Sequence, residues 1–286
     1  MVMNTKEFKQ MFVYQPDETL RVQVERNAFI LDLDGKLYPG AHTIMARAYD
    51  IADKDEVFDI RVVDIPVRFI PDTAIGYGFS PFQIKSQTTV CPVDQIRHSL
   101  KAVEKRLYSY MRLRPSQLGG GDAFTACYNE ITGEAIPLCV TRDPVGHYDG
   151  LARTMSKEII SIHCQTLSTS VHLSMPDHET ALAVYNKVIF ASDWLYNQSD
   201  KSNGKRVRDL SEAMIEYSPN YYGSWTDIMD TLFSKQALRN PGRFYPFIRL
   251  TRHGTIEFRM FGGSSDIDEI VRWVDRCHML CQEAMK

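Results

Sequence analysis

The stretch RLTRHGTIEFRMFGG, residues 249–263, alternates as an extended strand should. Ile256, Phe258 and Met260 fall on one face, and Thr255, Glu257 and Arg259 on the other. Three other stretches read the same way. In RVQVERNAF, Gln23, Glu25 and Asn27 share a face opposite Val22 and Val24. In TSVHLSMP, Ser170, His172 and Ser174 oppose Val171, Leu173 and Met175, and in PFQIKSQT, Gln83, Lys85 and Gln87 share a face. Any one of these faces is explained by an antiparallel sheet with one side in water. A solvated face would favour Thr, Lys and Glu over this mixture of Gln, Asn, His, Ser and a Glu–Arg pair. Such residues can do chemistry. Carboxylates on strands are hard oxygen ligands for Mg²⁺, which commonly also binds substrate phosphates. Arg259 presents a planar fork for phosphate or carboxylate oxygens, and rigid strands hold such groups in place before a substrate arrives.

The elements that must position these residues follow from periodicity. Residues 20–38 predict a strand, a turn at Asp34-Gly35 and a returning strand. Residues 57–90, rich in Val, Ile, Phe and Thr and broken by three prolines, predict several short strands. Over 92–111 the period changes: Val93, Ile96, Leu100, Val103 and Leu107 recur at helical spacing. Residues 112–157 read as irregular, 158–175 as a strand, 177–197 as a helix capped by Asp177, and 209–238 as helical. A final helix starts near Asp266, with Ser265 and Asp268 at capping-box spacing and Ile267, Ile270, Val271, Val274 and Leu280 as its apolar stripe. Strands cluster without regular alternation with helices, which predicts an α+β fold: a mainly antiparallel sheet with helices on one side. No linker divides the chain, so a single domain over 1–286 is expected.

Composition excludes several classes of function. The chain has 286 residues, 44% of them hydrophobic and 24% charged, ordinary for a globular protein. A net charge of −3 gives no basic field for nucleic acid. No apolar run approaches the roughly 18 residues of a membrane span, and MVMNTKEFKQMF lacks a signal-peptide core. The expectation is a cytoplasmic protein with no nucleic-acid or membrane partner. The six cysteines include no CxxC pair, and Cys277, His278 and Cys281 are too few for zinc, so all are read as reduced and mostly buried. The triple glycine in QLGGGDAF lacks the Gly-Lys-Ser/Thr of a phosphate loop and reads as a mobile loop. The cluster NYYGSW, residues 220–225, could be a substrate wall or a homo-oligomer interface; helix-end packing is the favoured reading.

Four of these stretches, in this order along the chain, carry a family resemblance. VQVERNAFILDLDGKLYPG, GYGFSPFQIKSQTTV, VHLSMPDHETALAVYNKV and HGTIEFRMFGGSSDIDEIVRWV resemble elements of the glutamate–cysteine ligase-like superfamily, the carboxylate–amine ligases, over roughly residues 20–282. The resemblance implies a sheet curved into a funnel, related to the catalytic domain of glutamine synthetase. It implies ATP and Mg²⁺, activation of a carboxylate as an acyl phosphate, and attack by an amine on an amino acid or other small carboxylate substrate. It assigns Glu25 and Glu257 as metal ligands, Arg259 as a phosphate contact, His172 as a neighbour of nucleotide or substrate, and Arg206 and Arg249 as further anion contacts.

The departures are as informative. Where the family carries glutamates in the second acidic strand, this chain has Gly78 and Lys85, and Ser170 stands in the first position of a His-x-His pattern. A lysine in place of a metal-binding glutamate exchanges a negative charge for a positive one and opposes Mg²⁺. Either the register is shifted, or part of the metal site has been lost; Asp59, Asp64 and Asp72 are nearby acids that could substitute. Two expectations follow: an ATP-dependent ligase, or a degenerate relative that binds a nucleotide or partner without ligation.

Overall fold

The computed structural model describes residues 4–51, 58–62, 65–70, 73–111, 125–127, 136–144, 146–200, 204–213, 218–234 and 246–286. Its strands are β1 (Val22–Leu31), β2 (Phe58–Val62), β3 (Ile65–Ile70), β4 (Thr73–Tyr77), β5 (Gln83–Thr88), β6 (Thr125–Cys127), β7 (Ser168–Ser174), β8 (Ile248–Leu250) and β9 (Thr255–Gly262). Its helices are α1 (Thr5–Lys9), α2 (Ala41–Ile51), α3 (Ile96–Met111), α4 (His147–Ala152), α5 (Lys157–Gln165), α6 (His178–Val188), α7 (Ser192–Asn197), α8 (Lys205–Ala213), α9 (Trp225–Ser234) and α10 (Ile267–Ala284). The nine described strands form one open sheet in the order β2-β3-β4-β5-β1-β7-β9-β8, with β6 also against β1. Every pairing is antiparallel. The fold is α+β.

One face of the sheet is the core. Val22, Val24, Val171, Leu173, Ile256 and Phe258 are fully buried there against α3, α6 and α10. Of the expected stripes, Ile96, Leu100, Val103 and Leu107 of α3 and Ile270 and Val274 of α10 are buried, while Val93, Ile267, Val271 and Leu280 are partly buried; the centre of the α10 face also holds Trp273, Cys277 and Cys281. Each large apolar side chain removed from water stabilises by about 1.5–3 kcal/mol. Arg26, on the same apolar face of β1, is an exception. It is fully buried, pairs with Glu104 of α3 at 2.8 Å, and donates to the Ser264 carbonyl ahead of α10 at 2.7 Å, tying strand to both helices. Four of the cysteines are buried, and all six are free.

Several elements differ from the sequence expectations. Residues 157–165 are helical, not extended: Ser156 caps α5 by accepting from the Ile159 N–H, and only 168–174 form the strand. The 209–238 stretch holds the end of α8 and the separate α9. Helix α2, for which no signal was read, packs against β4 and α3. The cap of α10 is Asp266, which accepts from the Asp268 N–H, rather than Ser265. The strand after the Asp34-Gly35 turn shrinks to a single bridge, Leu31 to Leu37. In β9 the alternation breaks: Phe258 opposes Val171 but Phe261 opposes Thr169, so Arg259 and Met260 together stand against Ser170. This bulge buries Met260 and Phe261 together. The triple glycine, Asp64 and Asp72 lie outside the described residues, as does the side chain of Asp59.

Candidate functional site

The polar faces read from the sequence belong to neighbouring strands. Across the sheet, Lys85 of β5 opposes Asn27 of β1, and Glu25 of β1 is flanked by Gln87 of β5 and Ser170 of β7. His172 of β7 lies between Gln23 of β1 and Glu257 of β9, and Glu257 opposes Arg249 of β8. Directly opposed residues share a face, so five adjacent strands contribute to one polar surface.

The side chains on it are paired. Lys85 Nζ is 2.7 Å from Glu25 Oε1. Glu257 Oε2 accepts from Arg249 Nε at 2.5 Å, and its Oε1 is 3.3 Å from Arg259 Nε and 3.8 Å from His172 Nε2. The bulge bears on the Arg259 contact: residues two apart on a flat strand stand roughly 7 Å apart, and a bulge re-aims such a side chain. A hydroxyl chain orients the imidazole. His172 Nδ1 is 3.1 Å from Thr255 Oγ1, which is 2.8 Å from Thr251 Oγ1. The buried His172 Nε2 has no hydrogen bond and faces Glu257.

Burial and charge set the protonation states. Burial pushes the Glu257 carboxyl up, but Arg249 and Arg259, then His172, outweigh it and hold the group well below the ordinary carboxylate range. Burial likewise raises Glu25, and Lys85 reverses the shift to a net lowering. Lys85 is lowered by burial but raised overall by Glu25. For His172 burial wins, and its pKa falls below the ordinary value despite the two glutamates. Among the described residues, Glu25 and Glu257 stand on this surface beside Lys85, Arg249 and Arg259.

Of the other expected residues, one lies partly outside the described residues and one is in a turn. Arg206 lies in α8, and its side chain is outside the described residues. Gly78 lies in the β4–β5 turn, not in a strand, and a Cβ there would stand 2.5 Å from Gln83 Cβ. No glutamate fits at that place. Gln83 is structural: its amide donates to the carbonyls of His163, Cys164 and Thr166 at the end of α5. The aromatic cluster splits, with Tyr222 stacked on Tyr185, Trp225 buried and Tyr221 exposed.

Tyr148 went unread in the sequence. Asp143 accepts from the His147 and Tyr148 N–H groups at the start of α4, and the Tyr148 hydroxyl donates to the Tyr77 carbonyl at 2.7 Å, within electrostatic reach of Lys85 and Glu25. The available signal was the DPVGHY spacing, an acid four residues ahead of a helix start.

A resident divalent cation does not fit this donor set. Among the described residues no group of three or more His, Cys, Asp or Glu converges. Glu25 and Glu257 are each held by a protein cation. No described helix is long and apolar enough to cross a membrane.

No curated protein sequence matches the chain. A structure of similar fold is that of a bifunctional glutathione synthetase from Pasteurella multocida, at a TM-score of 0.53 and 11% identity, covering 100% of this chain. The chain spans 40% of the length of that protein. The family model described as "Putative amidoligase enzyme" matches residues 138–281, just over half of the chain, including β7, β8, β9 and most of α10. The chain belongs to this amidoligase family, among the carboxylate–amine ligase-like proteins.

Proposed function

We propose that the protein is an ATP-dependent carboxylate–amine ligase, a single domain whose sheet is of the glutamate–cysteine ligase and glutamine synthetase kind. The observation that supports this reading most is the convergence of Glu25, Lys85, His172, Glu257, Arg249 and Arg259 on one surface of five adjacent strands. On this reading ATP phosphorylates the carboxylate of an amino acid or small acid, releasing ADP. The amine nitrogen then attacks the acyl carbon, and phosphate leaves. The chain supplies positioning and charge, which is most of what phosphoryl transfer asks of a protein. Arg249 is half-exposed and can reach substrate oxygens while Glu257 holds its Nε. Arg259 supports Glu257 from the other side. His172, fixed by Thr255 and with its pKa lowered by burial, presents Nε2 on the same surface as a candidate proton acceptor. Any Mg²⁺ would enter with the nucleotide phosphates, as this ion commonly does.

The test is incubation with ATP, Mg²⁺ and paired panels of amino acids and amines, reading ADP release and the mass of an amide product. ADP release that requires both partners is expected, with Glu257→Gln lowering it by roughly 10²-fold or more, the scale of losing one preorganised electrostatic group. ATP turnover indifferent to both partners would overturn the ligase reading. A second reading, nucleotide binding without ligation, draws on the Lys85–Glu25 pair. Its signature is bound ATP that never turns over.

A further inference from the structure

We infer that the Lys85–Glu25 pair recognises the head group of a free α-amino acid, the Glu25 carboxylate taking its ammonium and the Lys85 ammonium its carboxylate. The inference rests on the reading of this surface as the substrate site, but not on ligation taking place there.

The argument is one of unspent hydrogen-bonding capacity. Lys85 Nζ meets Glu25 Oε1 at 2.7 Å. Among the described residues neither group has another ion-pair or hydrogen-bond partner, which leaves two ammonium N–H donors and the second carboxylate oxygen unused. Each holds the other in its charged form. Glu25 is flanked by Gln87 of β5 and Ser170 of β7, and neither of those side chains makes a hydrogen bond among the described residues. Gly76 opposes Lys85 from β4 and brings no side chain to the ammonium. The pair is also open. The side chains of Lys85 and Glu25 are 18% and 24% exposed, whereas that of Glu257 is 4% exposed, so Glu25 is the carboxylate that a ligand reaches.

Charge selects the ligand. The two charges of the pair cancel. A ligand with only a carboxylate gains Lys85 but meets the negative charge of Glu25, and one with only an ammonium gains Glu25 but meets Lys85. A ligand with both charges, laid antiparallel to the pair, gains two charge-assisted contacts. In an α-amino acid, bond dimensions hold the ammonium nitrogen and the nearer carboxylate oxygen about 2.7 Å apart, which matches the separation within the pair. The Ser170 hydroxyl and the Gln87 amide oxygen, one on each side of Glu25, are acceptors for the remaining ammonium hydrogens.

The experiment is calorimetric titration of the full chain with a panel of α-amino acids, each beside its N-acetyl and its α-carboxamide form. It is run without nucleotide and again with Mg²⁺ and a non-hydrolysable ATP analogue. At least one free amino acid should bind, and each cap should weaken it by roughly tenfold or more, the loss of one charge-assisted hydrogen bond. The variants separate the two roles. Glu25→Gln should weaken the free amino acid and remove the penalty for N-acetylation while keeping that for the carboxamide. Lys85→Gln should do the converse. Circular dichroism checks that both fold, and the capped ligands test the parent without any variant. Binding of no panel member in either condition, capped forms binding the parent as tightly as the free amino acid, or folded variants that keep both penalties would each overturn the inference. Amide formation from acids and amines with no α-amino acid required would overturn it and leave the ligase reading standing. Head-group-selective binding without amide formation would do the reverse.

Discussion

Lys85 Nζ and Glu25 Oε1 stand 2.7 Å apart across two adjacent antiparallel strands. The pair sets an ammonium against the carboxylate of Glu25. Removing one partner leaves the other partly buried and unmatched, at a cost of about 1–3 kcal/mol. Lys85→Met and Glu25→Gln should each lower stability by that amount, and the double variant should lose less than the sum. Urea denaturation of the four proteins measures the coupling; strict additivity would mean that the pair does not hold in solution.

Glu257 neutralises two arginines. If the site were a set of repelling acids, Glu257→Gln would relieve repulsion and hold or raise stability. The geometry reverses the sign: the substitution leaves Arg249 and Arg259 without their shared anion, and the fall should be about 3 kcal/mol, discounted for the exposure of Arg249. Arg259→Lys should be harmful as well, because an ammonium cannot reproduce the guanidinium fork. Thermal denaturation without ligand decides the direction for both.

Acid stability should show two steps. His172 has a folded-state pKa below its ordinary value of about 6.5, so the unfolded chain takes up this proton first and stability falls as pH drops below that value. Glu25 and Glu257 are also lowered, so the stability they contribute is fully present above about pH 4.3 and is lost as pH falls further. Denaturation midpoints between pH 3 and 8 should show both slopes. His172→Gln should flatten the upper one and Glu257→Gln the lower one.

Gly78 is fixed by a close approach to Gln83. A Cβ at this position would meet Gln83 Cβ at 2.5 Å and its backbone carbonyl at 2.9 Å. Gly78→Ala should cost about 1–3 kcal/mol through overpacking, and Gly78→Glu should be worse without creating any metal affinity. A Gly78→Glu protein that is both stable and newly Mg²⁺-binding would show that the turn rearranges.

Arg26 tests how α3 and α10 are fastened to the sheet. Arg26→Ala strands the partly buried Glu104 and orphans the Ser264 carbonyl, with an expected loss of about 3 kcal/mol. Arg26→Met with Glu104→Leu should recover most of it, because an apolar pair of similar volume avoids the desolvation cost. Chemical denaturation of the single and double variants measures both.

Which residues face the polar side was legible from the chain alone. Side-chain direction in a strand has a period of two residues, so Gln23, Glu25 and Asn27 parted from Val22 and Val24 without any knowledge of neighbours. The α3 stripe was legible for the same reason at period 3.6, and the α10 stripe in part, since its buried face centres on Ile270, Trp273, Val274, Cys277 and Cys281. Helix α5 was misread as extended because its short apolar run, Ile159, Ile160 and Ile162, is β-branched and leads directly into β7. The identity of the site's partners was not local at all. Lys85 meets Glu25 because β5 lies beside β1, and Arg249 meets Glu257 because β8 pairs back onto β9. The bulge at Arg259–Met260 exists only relative to β7. Alternation tells each strand which way its charges point. The order in which strands lie side by side decides which charges meet, and that order is set by packing between segments as far apart in the chain as residues 25 and 257.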